Sequence, residues 1–261
     1  MEWVESISPS FRARHDAAEA DAADRVLYGL ERTRARLERV FPRMPVGMTV
    51  VLHGGPLGLA FTNPLLPVMW TVAAPASRRY IAGWVSRREM HVLAPSALEA
   101  RASNVQGSRE MLALSPAALY TRRVIDENSP TLSNATPLSR VGLELRWAWL
   151  LEGGARWFAG QIDHARPAIA RRLREGPPAE FPPGVRDAPL LGQTVIDLLA
   201  QTRGEEAVVR FVCQPESGSP RRMLLSAFGS HSLARVETSW RSHLMELASG
   251  ARPARSRRRA A

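Results

Sequence analysis

The chain has 261 residues, 45% of them hydrophobic, and a mean hydropathy of -0.18; that length can bury a sizeable core, and no apolar run approaches the roughly 18 residues of a membrane-spanning helix. A single cysteine, Cys213, excludes an intramolecular disulfide and a multi-cysteine metal site. The net charge is +10, and all 35 basic side chains are arginine; Arg252, Arg255, Arg257, Arg258 and Arg259 crowd the last residues, while most others alternate with carboxylates as on a solvated helix face.

The start, Met1-Glu2-Trp3-Val4-Glu5, is acidic and lacks the apolar segment of a secretory signal, so the expected location is cytoplasmic. Residues 11–15 alternate like a short strand. Val26, Leu27, Leu30, Leu37, Val40 and Phe41 then recur at helical spacing and predict an amphipathic helix over 17–41, ended by Pro42 and Pro45. Residues 46–53 read as a buried strand. The stretch 54–78 holds four prolines and several glycines and reads as a long irregular loop. Residues 79–85 and 89–93 form two strands around Ser86-Arg87-Arg88, the spacing of a hairpin.

From about residue 96 the pattern becomes helical. Helices are predicted over 96–102, 108–127, 138–160, 189–202, 204–213, 220–228 and 231–248, with a proline-rich connector from Gly176 to Gly184. Trp240 shares one face of the last helix with Leu233, Val236, Leu244 and Leu247, which makes it a core anchor. The expected organisation is α+β: residues 1–107 as an N-terminal lobe with a small sheet and a long helix, residues 108–250 as a mainly helical lobe of the same domain, and 251–261 as a disordered Arg-rich tail.

The most informative run is Trp147-Ala148-Trp149-Leu150-Leu151-Glu152-Gly153-Gly154-Ala155-Arg156-Trp157-Phe158. Its one carboxylate, Glu152, is costly to bury among such neighbours unless a cation pairs with it. The run resembles the Trp-Leu-x-Glu-Gly-x-Ala segment of bacterial peptidase MA-like domains, zincin-like gluzincin metallopeptidases. Gly192-Gln193-Thr194-Val195-Ile196-Asp197-Leu198-Leu199 and the closing Ala227-Phe228-Gly229 to Trp240 segment resemble the same family, over roughly residues 8 to 248. The resemblance implies a zincin-like fold in which Glu152 stands at the position of the third zinc ligand.

An active member needs His-Glu-x-x-His on one helix, because positions i and i+4 share a face and let both imidazoles reach one zinc. The candidate helix, Ala117 to Glu127, has no histidine, and none occurs between His91 and His164. Zinc, expected of the family, is therefore not supported, and no residue is assigned a catalytic role. The six histidines, including His15, His53 and His91 at strand ends, read as surface or hydrogen-bonded residues, and Cys213 as a core thiol.

A guanidinium is the natural replacement for the metal beside Glu152. Arg122 or Arg123 is expected to bridge to Glu152 across the old cleft; the local pair Glu152 with Arg156, at i,i+4, is the competing arrangement. The expected ligand cleft consists of Tyr120, Arg122, Arg123, Trp149 and Glu152. The implied function is that of a degenerate peptidase serving as a non-catalytic binding or scaffold domain for a peptide or protein, with no membrane partner. Two other readings stay open: a metal-dependent hydrolase with a rearranged site, and an Arg-rich protein whose tail contacts nucleic acid or another partner electrostatically.

Overall fold

The computed structural model describes residues 3–215 and 219–250; the arginine-rich tail, 251–261, lies outside the described residues. The fold is mixed α+β, with a small sheet at the N-terminal end and helices after it. The strands are β1 (Trp3–Ile7), β2 (Phe11–Asp16), β3 (Met48–His53), β4 (Gly83–Val85) and β5 (Glu89–Leu93), arranged in the order β1-β2-β3-β5-β4. β2, β3 and β5 run parallel, and the two edge strands are antiparallel to their neighbours. The long helix α1 (Ala20–Leu37) provides the crossover that a parallel β2–β3 pair demands. It buries Leu27, Leu30, Thr33 and Leu37 against the sheet, as its spacing predicts.

Between β3 and β4 the expected irregular loop is instead three short helices, α2 (Pro56–Thr62), α3 (Leu65–Val72) and α4 (Pro75–Arg78). The prolines that suggest a loop stand at helix starts, Pro56 and Pro75 in the first positions of α2 and α4, where the missing N–H has no intrahelical partner to lose. Residues 79–82 are not a strand, because the carbonyls of Arg78, Arg79 and Ile81 accept from the Arg101 guanidinium. The β4–β5 hairpin is present but shorter than expected.

The helical part contains α5 (Pro95–Ala100), α6 (Ser108–Ala113), α7 (Ser115–Asn128), α8 (Pro130–Ser133), α9 (Pro137–Arg146), α10 (Ala148–Phe158), α11 (Ile162–Glu175), α12 (Ala188–Arg203), α13 (Glu205–Cys213), α14 (Pro220–Phe228) and α15 (Leu233–Ser249). The predicted 108–127 and 138–160 helices are each broken once, at Leu114 just before Pro116 and at Trp147. α11 runs where the sequence predicts no helix, since Pro167 sits inside it, and β1 is likewise an addition to the predicted strands. One continuous core joins sheet and helices, from Phe11 to Leu247. Trp240 is fully buried and its indole N–H donates to Thr194 Oγ1 at 2.8 Å, the anchoring role expected of it.

α10 and α12 cross at backbone contact. A Cβ on Gly153 would stand 2.4 Å from the Gly192 carbonyl carbon, and one on Gly192 would stand 2.3 Å from the Trp149 carbonyl oxygen. The glycine after Glu152 is therefore required by helix packing, which in turn fixes the direction in which Glu152 points.

Candidate functional site

α7 packs against α10 on one side and against the edge strand β4 on another. At their junction lies a small cavity of about 40 Å³, lined among others by Ala118, Leu119, Arg122, Glu152, Arg156 and Met69. Ala118 and Arg122 are four residues apart on α7, so one helix face presents both toward Glu152. The structure thus brings Arg122 and Glu152 to one place.

The predicted cross-cleft bridge does not form. Glu152 Oε2 accepts from Arg156 Nη2 at 3.1 Å, the local i,i+4 pair. Arg122 donates instead to Asp126 Oδ1 at 2.6 Å and to Glu144 Oε1 at 3.3 Å. Asp126 lies one turn along the same helix, and Glu144 is carried in by α9, so Arg122 satisfies its donors without reaching across. Arg140 joins the network, donating to Glu144 Oε1 at 2.9 Å and to Asp126 Oδ2. Burial alone would push the Arg122 guanidinium down, but the negative fields of Asp126, Glu144 and Glu152 outweigh it and leave its pKa above the ordinary arginine value.

The other predicted cleft residues are placed elsewhere. Arg123 is buried, pairing with Glu127 and donating through Nε to the Arg87 carbonyl at 3.1 Å. Tyr120, two residues from both Ala118 and Arg122, occupies the opposite face of α7; it packs edge-on against Phe11 at 5.0 Å and accepts from Arg34 at 3.3 Å. Trp149 packs in the core beside Trp147 and Phe211. Neither lines the cavity.

Arg156 carries more of the site than its place in the sequence suggests. Besides Glu152 it donates to the Tyr80 carbonyl at 2.9 Å and to Gln161 Oε1 at 3.0 Å, tying α10 to the segment before β4. Its Nε and the Ser115 hydroxyl both belong to cavity-lining residues and have no protein hydrogen-bond partner.

A second constellation, absent from the expected site, lies on one face of the sheet across β3, β5 and β4. His53 Nε2 and His91 Nδ1 meet at 3.0 Å, with ring centroids 5.3 Å apart and planes 23° from parallel. Trp84 stacks on His91 at 4.5 Å, and Glu89 Oε2 stands 3.5 Å from the far nitrogen of His91. The β3–β5 register sets Val51 opposite His91, so His53, two residues on, shares that face; the signal is the register, which spacing along the chain does not disclose. Burial, helped by the facing His91, lowers His53 to about 4. No cluster of three or more His, Cys, Asp or Glu able to hold a metal forms among the described residues.

Comparison of the chain with protein-family models, with curated proteins and with solved structures gives no match.

Proposed function

We propose that this is a zincin-like, peptidase MA-like domain whose metal centre has been replaced by an arginine–carboxylate network, and that it works as a non-catalytic binding or scaffold domain. The observation that carries the reading is the shared cavity of Ala118, Leu119, Arg122 and Glu152. In the resembled family the i and i+4 positions of the helix facing that glutamate are zinc-binding histidines, with the general-base Glu between them. Here those places hold alanine, arginine and leucine. Alanine and leucine offer no donor atom and a guanidinium is permanently charged, so this residue set does not fit zinc. The carboxylates that a metal would attract are already engaged by Arg122, Arg140 and Arg156. The small size of the cavity directs binding to the outer surface of the domain.

Metal analysis and peptide hydrolysis by protein purified without a histidine tag test this. The natural chain is expected to carry no stoichiometric zinc and to hydrolyse no peptide. The triple variant Ala118→His, Leu119→Glu, Arg122→His is expected to gain zinc and to lose it again with Glu152→Ala. About one zinc per natural chain, with chelator-sensitive hydrolysis, overturns the proposal.

A further inference from the structure

Residues 54–77 contain no charged side chain, in a chain that is 23% charged overall. Most of them fold as α2 and α3 with the turn at Asn63-Pro64; the pair anchors Leu59 and Leu66 in the core yet leaves much of its apolar surface uncovered. Phe61 is 87% exposed, Leu57 77% and Val68 56%, with Leu65, Met69 and Val72 beside them. Exposed apolar surface gathered in this way marks a docking face.

We propose that the α2–α3 hairpin docks the protein on an anionic lipid bilayer, lying in the headgroup region without crossing it. Helices of seven and eight residues are too short to span, and no helix among the described residues is long and apolar enough to do so. Interfacial docking does not need a span, which is where it departs from the sequence expectation of no membrane partner.

Two further observations select the lipid surface. First, the hydroxyls of the hairpin are engaged internally: Thr62 donates to the Leu59 carbonyl at 2.7 Å and accepts from Trp84 at 2.9 Å, and Thr71 donates to the Pro67 carbonyl at 2.8 Å. Leaving bulk water therefore costs them little. Second, the base of the hairpin is cationic. Arg78 and Arg79 close α4, the Arg101 guanidinium sits 5.4 Å over the Trp70 ring, and the Arg186 carbonyl accepts from Ala74 N at 3.0 Å. None of these four has a carboxylate partner among the described residues, whereas Arg12 and Arg14 share Glu5 and Arg241 takes Glu237. Burial, with repulsion from Arg79 and Arg78, lowers the Arg101 pKa. Lipid phosphates neutralise such a rim; a second copy docked face to face would add the same positive charge.

Co-sedimentation of the full chain with phosphatidylcholine vesicles, with and without phosphatidylglycerol, tests the proposal. The natural chain is expected to favour the anionic vesicles. The charge-neutral variant Phe61→Ser with Val68→Ser is expected to lower partitioning about tenfold or more. Arg78→Gln with Arg186→Gln is expected to reduce the preference for phosphatidylglycerol, leaving weak binding to both vesicles. Both variants keep the arginine-rich C-terminal residues, so tail-driven adsorption survives them equally. Circular dichroism and Tm confirm that each remains folded. Partitioning unchanged by the serine pair, absence of vesicle binding by the natural chain, or a dimer in sedimentation velocity that the serine pair abolishes each overturns it.

Discussion

His53 and His91 belong to adjacent parallel strands and point one ring nitrogen at each other across 3.0 Å, in a place where neither is easily protonated. In the unfolded chain His53 titrates near 6.5; folded, burial and the facing His91 hold it to about 4. Between these values the unfolded state binds more protons, so the contribution is fully present above 6.5, shrinks as pH falls toward 4, and is gone below it. Its size is at most about 3 kcal/mol. Denaturant titrations at several pH values should show this acid limb, and His53→Gln should flatten it; equal slopes in both proteins would exclude the pair as its source.

Removing the Asp126 carboxylate should cost more than removing that of Glu152. Asp126 is the buried anion shared by Arg122 and Arg140, and its loss leaves the buried Arg122 guanidinium with only the longer Glu144 contact, at about 3 kcal/mol. Arg156 keeps the Tyr80 carbonyl and Gln161 when Glu152 is truncated, so Glu152→Ala should cost about 1 kcal/mol. Urea denaturation of Asp126→Ala and Glu152→Ala gives the order directly.

The glycines separate by what surrounds them. Gly153→Ala and Gly192→Ala each place a methyl inside the partner helix backbone and should destabilise by about 3 kcal/mol or more. Gly142, in α9, has open space where a methyl would stand, with nothing within 4 Å, and should gain about 0.5–1 kcal/mol as alanine. Thermal melts of the three variants check both signs.

Cys213 should resist thiol reagents until the chain unfolds. It is buried, and burial pushes its thiol up to about 12. Near pH 8 the native protein then holds ~1000-fold less thiolate than an ordinary cysteine. Labelling with a disulfide reagent, followed with and without denaturant, should show a slow native and a fast unfolded reaction.

Patterns that repeat along the chain are legible in the amino-acid order alone: the buried positions of α1, the anchoring of Trp240 and the strand at β3 all follow from local spacing. Elements whose prolines sit at helix starts or inside a helix, α2 to α4 and α11, are not, because proline speaks against helix except where tertiary packing or position removes its penalty. In the candidate site, one helix face and one costly carboxylate lead to Arg122 and Glu152. The partner of Arg122 differs from the expected one because Glu144 arrives from another helix and Asp126 competes from one turn away. Proximity in sequence places Tyr120 and Trp149 at the cleft, but Tyr120 lies two residues from Ala118 and Arg122 and so turns to the far side of α7, and Trp149 is drawn into the core beside Trp147 and Phe211.

The contact of Gly153 with Gly192 has a mechanical consequence. With backbone against backbone at that crossing, α10 has no side chains there through which to roll or slide on α12, so the Glu152 wall of the cavity is pinned from behind. Whatever enlarges that cavity must act on the opposite wall, where Met69 belongs to the same hairpin that faces outward. The outer face and the inner cleft thus share one side chain, Met69.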